Sequence, residues 1–152
     1  MTRLDAWRRA LVVAGSIVLL DQVTKGLIVA HRALGESESI FIGIDLNYVR
    51  NSGVAFGAFA EGGALVWVLT GLAIAGLIGY FTLRANRAWL WLPVGAIAGG
   101  ALGNLADRAR DGAVVDFIDP VAWPAFNIAD IAIVVGILGL VWVAEGGGDD
   151  DE

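Results

Sequence analysis

Two aspartates, Asp116 and Asp130, stand inside unusually apolar sequence, Val114-Val-Asp-Phe-Ile118 and Asn127-Ile-Ala-Asp-Ile-Ala-Ile133. They are fourteen positions apart, across a short loop broken by Pro120 and Pro124. An acid beside hydrocarbon costs several kcal/mol unless something stabilises it, so each is a candidate for function. Two carboxyl groups held within a few ångströms cannot both ionise readily. They share a proton, and one can act as base and the other as acid towards a water between them. A coupled pair titrates jointly, so which aspartate takes the water's proton stays unassigned.

This is the chemistry of aspartic peptide hydrolysis, and the chain offers no better nucleophile. There is no Cys, and Ser16, Ser37, Ser39 and Ser52 have no paired His in reach. The single His31 argues against a zinc centre. A second reading of the acids is purely structural. Asn127 could cap a helix beginning beside it, which makes Asp130 a capping acid at the third helical position. Asp116 would then be a surface loop residue. The apolar neighbours of both favour the functional reading.

The elements that must position these acids follow from composition. The 152 residues are 57% hydrophobic and 17% charged, with mean hydropathy +0.71. That excess must face something other than water. Four apolar runs are predicted to span a bilayer, at about 10–30, 63–83, 89–105 and 126–143. The region 36–59 changes period, with β-branched and aromatic residues from Ile40 to Val49 and a turn signal at Asn51-Ser52-Gly53. It is predicted to form a small antiparallel sheet at the membrane surface. The fold class is therefore a four-helix membrane protein with a small extracytoplasmic sheet. One integral membrane domain covers 1–144, and 145–152 is an acidic, disordered tail that supplies much of the formal charge of −6.

Gly95, Gly99 and Gly103 recur every four residues in the third run, a stripe that admits a close neighbour. Arginines at 3, 8, 9, 84 and 87 mark one side as cytoplasmic. Both termini then lie inside, and the sheet and the two acids lie outside. Asp21 and Lys25 share a helical face four residues apart, as a structural ion pair or as a support for a site group. Gly100, Asn104 and Arg108 share another face. Arg108 is either an interfacial anchor or a site residue.

Together the motifs Asp21-Gln-Val-Thr-Lys25, Asn51-Ser-Gly-Val-Ala-Phe-Gly57, Gly100-Ala-Leu-Gly-Asn-Leu-Ala-Asp-Arg108, Val114-Val-Asp-Phe117 and Phe126-Asn-Ile-Ala-Asp130 carry a resemblance. In this order, over about residues 10 to 143, they resemble the lipoprotein signal peptidase (signal peptidase II) family. The resemblance implies a bacterial intramembrane aspartic endopeptidase with four transmembrane helices, an extracytoplasmic sheet and a short helix. It implies a catalytic dyad at Asp116 and Asp130, supported by Asp21, Asn51, Gly53, Asn104, Arg108 and Asn127. The implied substrate is a diacylglyceryl-modified prolipoprotein, cut just before the lipidated cysteine. No cofactor, metal or nucleic acid is implied; the expected partners are the prolipoprotein substrate and membrane lipid, and the expected state is a monomer. The acidic tail departs from the basic end that many members carry.

A different class, a proton-coupled transporter, also uses membrane carboxylates. Transporters place them near the midplane in repeat-related broken helices. Here the paired acids fall at run ends on one side, and the two halves show no internal repeat.

Overall fold

The computed structural model describes residues 1–52 and 63–147. Gly53, the end of the region assigned to the sheet and the tail from Gly148 onward lie outside the described residues, as does the expected short helix if it follows Asn51. The elements run α1 (Arg3–His31), β1 (Ser37–Phe41), β2 (Ile44–Asn51), α2 (Gly63–Arg84), α3 (Trp91–Asp111), β3 (Val114–Pro120) and α4 (Ile128–Ala144).

Helix α3 is the centre of the bundle, packed on α1 on one side and on α4 on the other, with α2 touching it more lightly. The predicted glycine stripe makes the first contact. A Cβ at Gly95 would lie 2.6 Å from the Ala10 carbonyl oxygen, and one at Gly99 would lie 2.7 Å from that of Ala14. One at Gly103 would lie 2.6 Å from Asp21 Oδ2. The other contact uses Gly100, whose missing side chain leaves room for the Ala129 backbone of α4. Small residues thus bring three backbones together where the polar side chains meet.

Helix α1 is built inside out relative to a helix of a water-soluble protein. Its buried positions are Ala6, Ala10, Ala14, Asp21 and Lys25, while Leu11, Val12, Leu19, Leu20 and Leu27 face outward. Polar residues inside and large apolar ones outside is the pattern that a lipid solvent favours. Helices α1 and α2 are long and apolar enough to cross a membrane, and α4 is apolar but 17 residues long. Helix α3 is rich in glycine, and its C-terminal end carries Asn104, Asp107, Arg108, Arg110 and Asp111. At the opposite end a small apolar core of Ala6, Ala10, Phe81, Ala85, Leu90, Val94 and Val143 closes the bundle. There Trp7 meets Phe81 edge-on at 4.7 Å.

The three strands form one antiparallel sheet in the order β1-β2-β3. A hairpin turns at Gly43, whose φ of +80° suits a residue without a side chain. The predicted sheet within 36–59 thus gains a third strand from far along the chain, where a loop was expected. Val114 to Phe117 is buried at every position, so the strand shows none of the alternation that marks a strand in sequence. Its register sets Val49 opposite Asp116 and Asn51 opposite Val114. After β3 the chain folds straight back. Ile118 and Phe126 exchange backbone hydrogen bonds at 2.9 Å in both directions, returning the chain to Asn127 beside Asp116.

Candidate active site

Asp116 reaches the site from β3 and Asp130 from the first turn of α4. The α4 end is set by a capping box. Asn127 is the N-cap, its Oδ1 accepts the Asp130 N–H at 3.0 Å, and Asp130 Oδ2 accepts the Asn127 N–H at 3.2 Å. The sequence spacing forecast this cap.

The cap also fixes which way the Asn127 amide faces. With Oδ1 committed to a backbone N–H, Nδ2 must point the other way. It donates to Asp116 Oδ1 at 2.7 Å, to Asn104 Oδ1 at 3.1 Å and to the Val115 carbonyl at 3.3 Å. One wholly buried residue therefore touches both acids, Asp116 through its side chain and Asp130 through its backbone. Asn104 Nδ2 donates to Asp130 Oδ1 at 2.8 Å, and Asn51 Nδ2 donates to Asp116 Oδ2 at 2.9 Å.

Behind this layer lies a buried ionic cluster. Lys25 Nζ sits 2.8 Å from Asp21 Oδ2 and 2.8 Å from Asp107 Oδ2, all three side chains being at most 1% exposed. Each acid of the cluster also holds a backbone N–H. Asp21 Oδ1 accepts from Ala129 at 3.1 Å, and Asp107 Oδ2 accepts from Val115 at 3.3 Å. Ala129 and Val115 are the residues immediately before Asp130 and Asp116. Gln22 Nε2 donates to Asp107 Oδ1 at 2.8 Å, and the exposed Arg110 donates to the same oxygen through Nη2 at 3.1 Å.

The two acids differ in surroundings. Asp116 is 2% exposed, and burial pushes its carboxyl from 3.8 up to about 6. The Asn51 and Asn127 amides oppose that rise, and the charge of Asp130 adds to it. Asp130 is only partly buried. It forms the polar end of a cavity of about 320 Å³ whose other walls are Trp123, Phe126, Ile131, Val134 and Val135. Among the described residues Asp130 is the one carboxyl that lines this cavity, while Asp116 lies buried behind it, joined to it through Asn127.

Of the sequence-predicted residues, Asp21, Asn51, Asn104, Asp116, Asn127 and Asp130 meet in this one hydrogen-bonded assembly. Arg108 stands at its edge, reaching the Asn104 carbonyl at 3.4 Å with its Nε buried and without a partner among the described residues. Gly53 lies outside the described residues. Sequence reasoning did not place Asp107 in the site, and it gave Lys25 no link beyond Asp21. The available signal was the helical face that Asp107 shares with Gly103 and Gly100, at spacings of four and seven.

Known proteins resemble this chain over most of its length. A family model described as signal peptidase (SPase) II matches residues 13–144. The lipoprotein signal peptidase of Pelotomaculum thermopropionicum is 43% identical over 86% of this chain and 88% of its own. That of Syntrophotalea carbinolica is 40% identical over 94% of each. A solved bacterial membrane enzyme superposes with a TM-score of 0.80 at 29% identity, covering 89% of this chain and 91% of that one. A second bacterial membrane enzyme gives 0.77, also at 29% identity. With the matched segment running from α1 to the end of α4, this chain belongs to the signal peptidase II family.

Proposed function

We propose that this protein removes the signal peptide from diacylglyceryl-modified bacterial prolipoproteins, cutting just before the lipidated cysteine, with Asp116 and Asp130 as an aspartic dyad. The observation that carries the reading is Asn127, which hydrogen-bonds both carboxyl groups at once. Water held between the acids attacks the scissile carbonyl and passes a proton to the ionised member of the pair. The carbon–nitrogen bond then breaks as the amine of the new amino-terminal cysteine takes a proton from the dyad, and the signal peptide leaves with a carboxylate. Asn51, Asn104, Arg108, Asn127 and Gly53 position the dyad and the peptide, and Asp21 supports them from behind.

The apolar cavity beside Asp130 suits the hydrocarbon of such a substrate. Binding energy from these remote parts would set the geometry at the bond. All four helices cross the inner membrane in this reading, α4 with help from the capped turn that precedes it. The arginines at 3, 8, 9, 84 and 87 face the cytoplasm with both termini, and the sheet and dyad face outward. Residues 1–144 act as one domain and as a monomer.

The test is incubation of purified protein with a diacylglyceryl-modified precursor, read by mass of both products. The parental protein should release a fragment beginning at the lipidated cysteine, and Asp116→Asn and Asp130→Asn should release none while remaining folded in membrane. Cleavage at the parental rate by either variant removes the dyad assignment.

A further inference from the structure

We propose that Lys25 is a positioning residue for the dyad: by occupying the oxygen of Asn104 it obliges that amide to turn its N–H towards Asp130, and so governs ionisation of the pair. The inference rests on the functional reading above and assigns work to a residue outside the reacting layer.

An ammonium has three N–H donors and no acceptor. Lys25 spends all three, on Asp21 Oδ2 at 2.8 Å, Asp107 Oδ2 at 2.8 Å and Asn104 Oδ1 at 2.9 Å. It is 1% exposed, so water does not compete for them. Asn104 must therefore present its oxygen to Lys25. The Asn127 amide, oriented by its own cap, donates to the same oxygen at 3.1 Å. Only the Nδ2 of Asn104 remains, and it meets Asp130 Oδ1 at 2.8 Å. An N–H placed there stabilises negative charge in the pair. With Lys25 gone the amide loses its charged partner and only the 3.1 Å bond from Asn127 opposes its turning over, where a carbonyl oxygen facing a carboxyl oxygen requires a proton between them.

Charge alone predicts the opposite sign for one variant. The charged groups around the dyad are Asp21 and Lys25 from α1, Asp107, Arg108 and, through Asp107, Arg110 from α3, and each acid from the other's element. Lys25, Asp21 and Asp107 together carry −1, and Arg110, which meets Asp107 Oδ1 at 3.1 Å from the exposed side, is unchanged in the variant below. Neutralising all three removes negative charge and, through space, eases ionisation of the pair. Loss of amide orientation hinders it.

The experiment uses Asp21→Asn/Lys25→Met/Asp107→Asn, whose amide oxygens can still accept from Ala129 and Val115. Single-turnover cleavage of a diacylglyceryl-modified precursor is followed across pH. The inference expects the maximal rate to fall ~10–100-fold, as for an outer partner of a reacting group, with KM within about twofold. It expects the acid limb of the rate profile to move up by about 0.5–1 pH unit. An acid limb that stays or moves down, or a loss confined to KM, overturns it. Should the neutral variant fail to insert, Lys25→Arg keeps charge and donors. A parental acid limb in Lys25→Arg then supports the inference, and an upward displacement overturns it. If the parental protein cleaves nothing, the functional reading has failed. If it cleaves and the limb behaves otherwise than stated, only the role of Lys25 has failed.

Discussion

Asp21 accepts the backbone N–H of Ala129 at 3.1 Å, so a side chain on α1 holds the residue immediately before Asp130. Asp107 on α3 does the same for Val115, the residue before Asp116. Lys25 lies between the two acids and ties both anchors to one charge. The backbone on which Asp116 and Asp130 stand is thus held from behind by helices packed through glycines.

Removing the acceptor should therefore be worse than removing the charge. Asp21→Ala leaves the Ala129 N–H unsatisfied and should lower stability by about 1–3 kcal/mol. Asp21→Asn keeps a carbonyl oxygen and should recover much of that. Thermal unfolding in detergent compares them, and equal losses would show that Asp21 is not an N–H acceptor.

Asn127 combines two tasks that substitution can separate. Asn127→Ala loses the helix cap, at about 1 kcal/mol, together with the contacts to both acids. Asn127→Ser restores a cap but is too short to donate to Asp116. Activity should fall at least ~100-fold in both, since an outer partner of a reacting group commands 10–100-fold and Asn127 touches two. Unfolding temperature should recover only in Asn127→Ser. A fully active Asn127→Ser contradicts the bridging role.

The raised carboxyl of Asp116 fixes the sign of two pH effects. A carboxyl lifted from 3.8 to about 6 on folding binds its proton more tightly in the folded protein. Its contribution to stability is complete below 3.8 and is lost as pH rises through about 6. Unfolding followed across that window should show a decline of about 1–3 kcal/mol that Asp116→Asn flattens. The Asn51 amide opposes the rise, so Asn51→Ala should move the alkaline limb of the rate profile to higher pH. A downward movement contradicts the hydrogen bond from Asn51 to Asp116.

Close packing of α3 makes its glycines unequal to those elsewhere. Gly99→Ala drives a methyl group against the Ala14 backbone and should cost about 1–3 kcal/mol. Gly79→Ala meets nothing within 4 Å and should be neutral or stabilise α2 by up to about 1 kcal/mol. Matching unfolding temperatures for the two variants would mean that α1 does not approach α3 as described.

Much of the site was legible because its signals are local. The capping box spans Asn127 to Asp130, the Asp21–Lys25 pair lies within α1, and the glycine stripe lies within α3. Strand β3 was not legible. Its buried run lacks alternation, and its partner β2 lies some 65 residues earlier, with Asn51 bonded to Asp116. The Lys25–Asn104 contact was hidden for a related reason, since α3 must first pack on α1 through glycine before it can form, and the Asp107–Val115 bond was hidden with β3 itself. Two of the four expected spans were less evident in the helices. Glycine and the charged end of α3 dilute its apolar character, and α4 stops at 17 residues because Asn127 caps it just inside Phe126.

The claim at the centre is that Asp116 and Asp130 work as one unit. Single-turnover cleavage of a lipidated precursor by Asp116→Asn, Asp130→Asn and the double variant measures this directly. A unit predicts that each single change costs as much as both together, a loss of about 10⁴-fold or more. Losses that multiply in the double variant, or one single variant that keeps turning over, would contradict it.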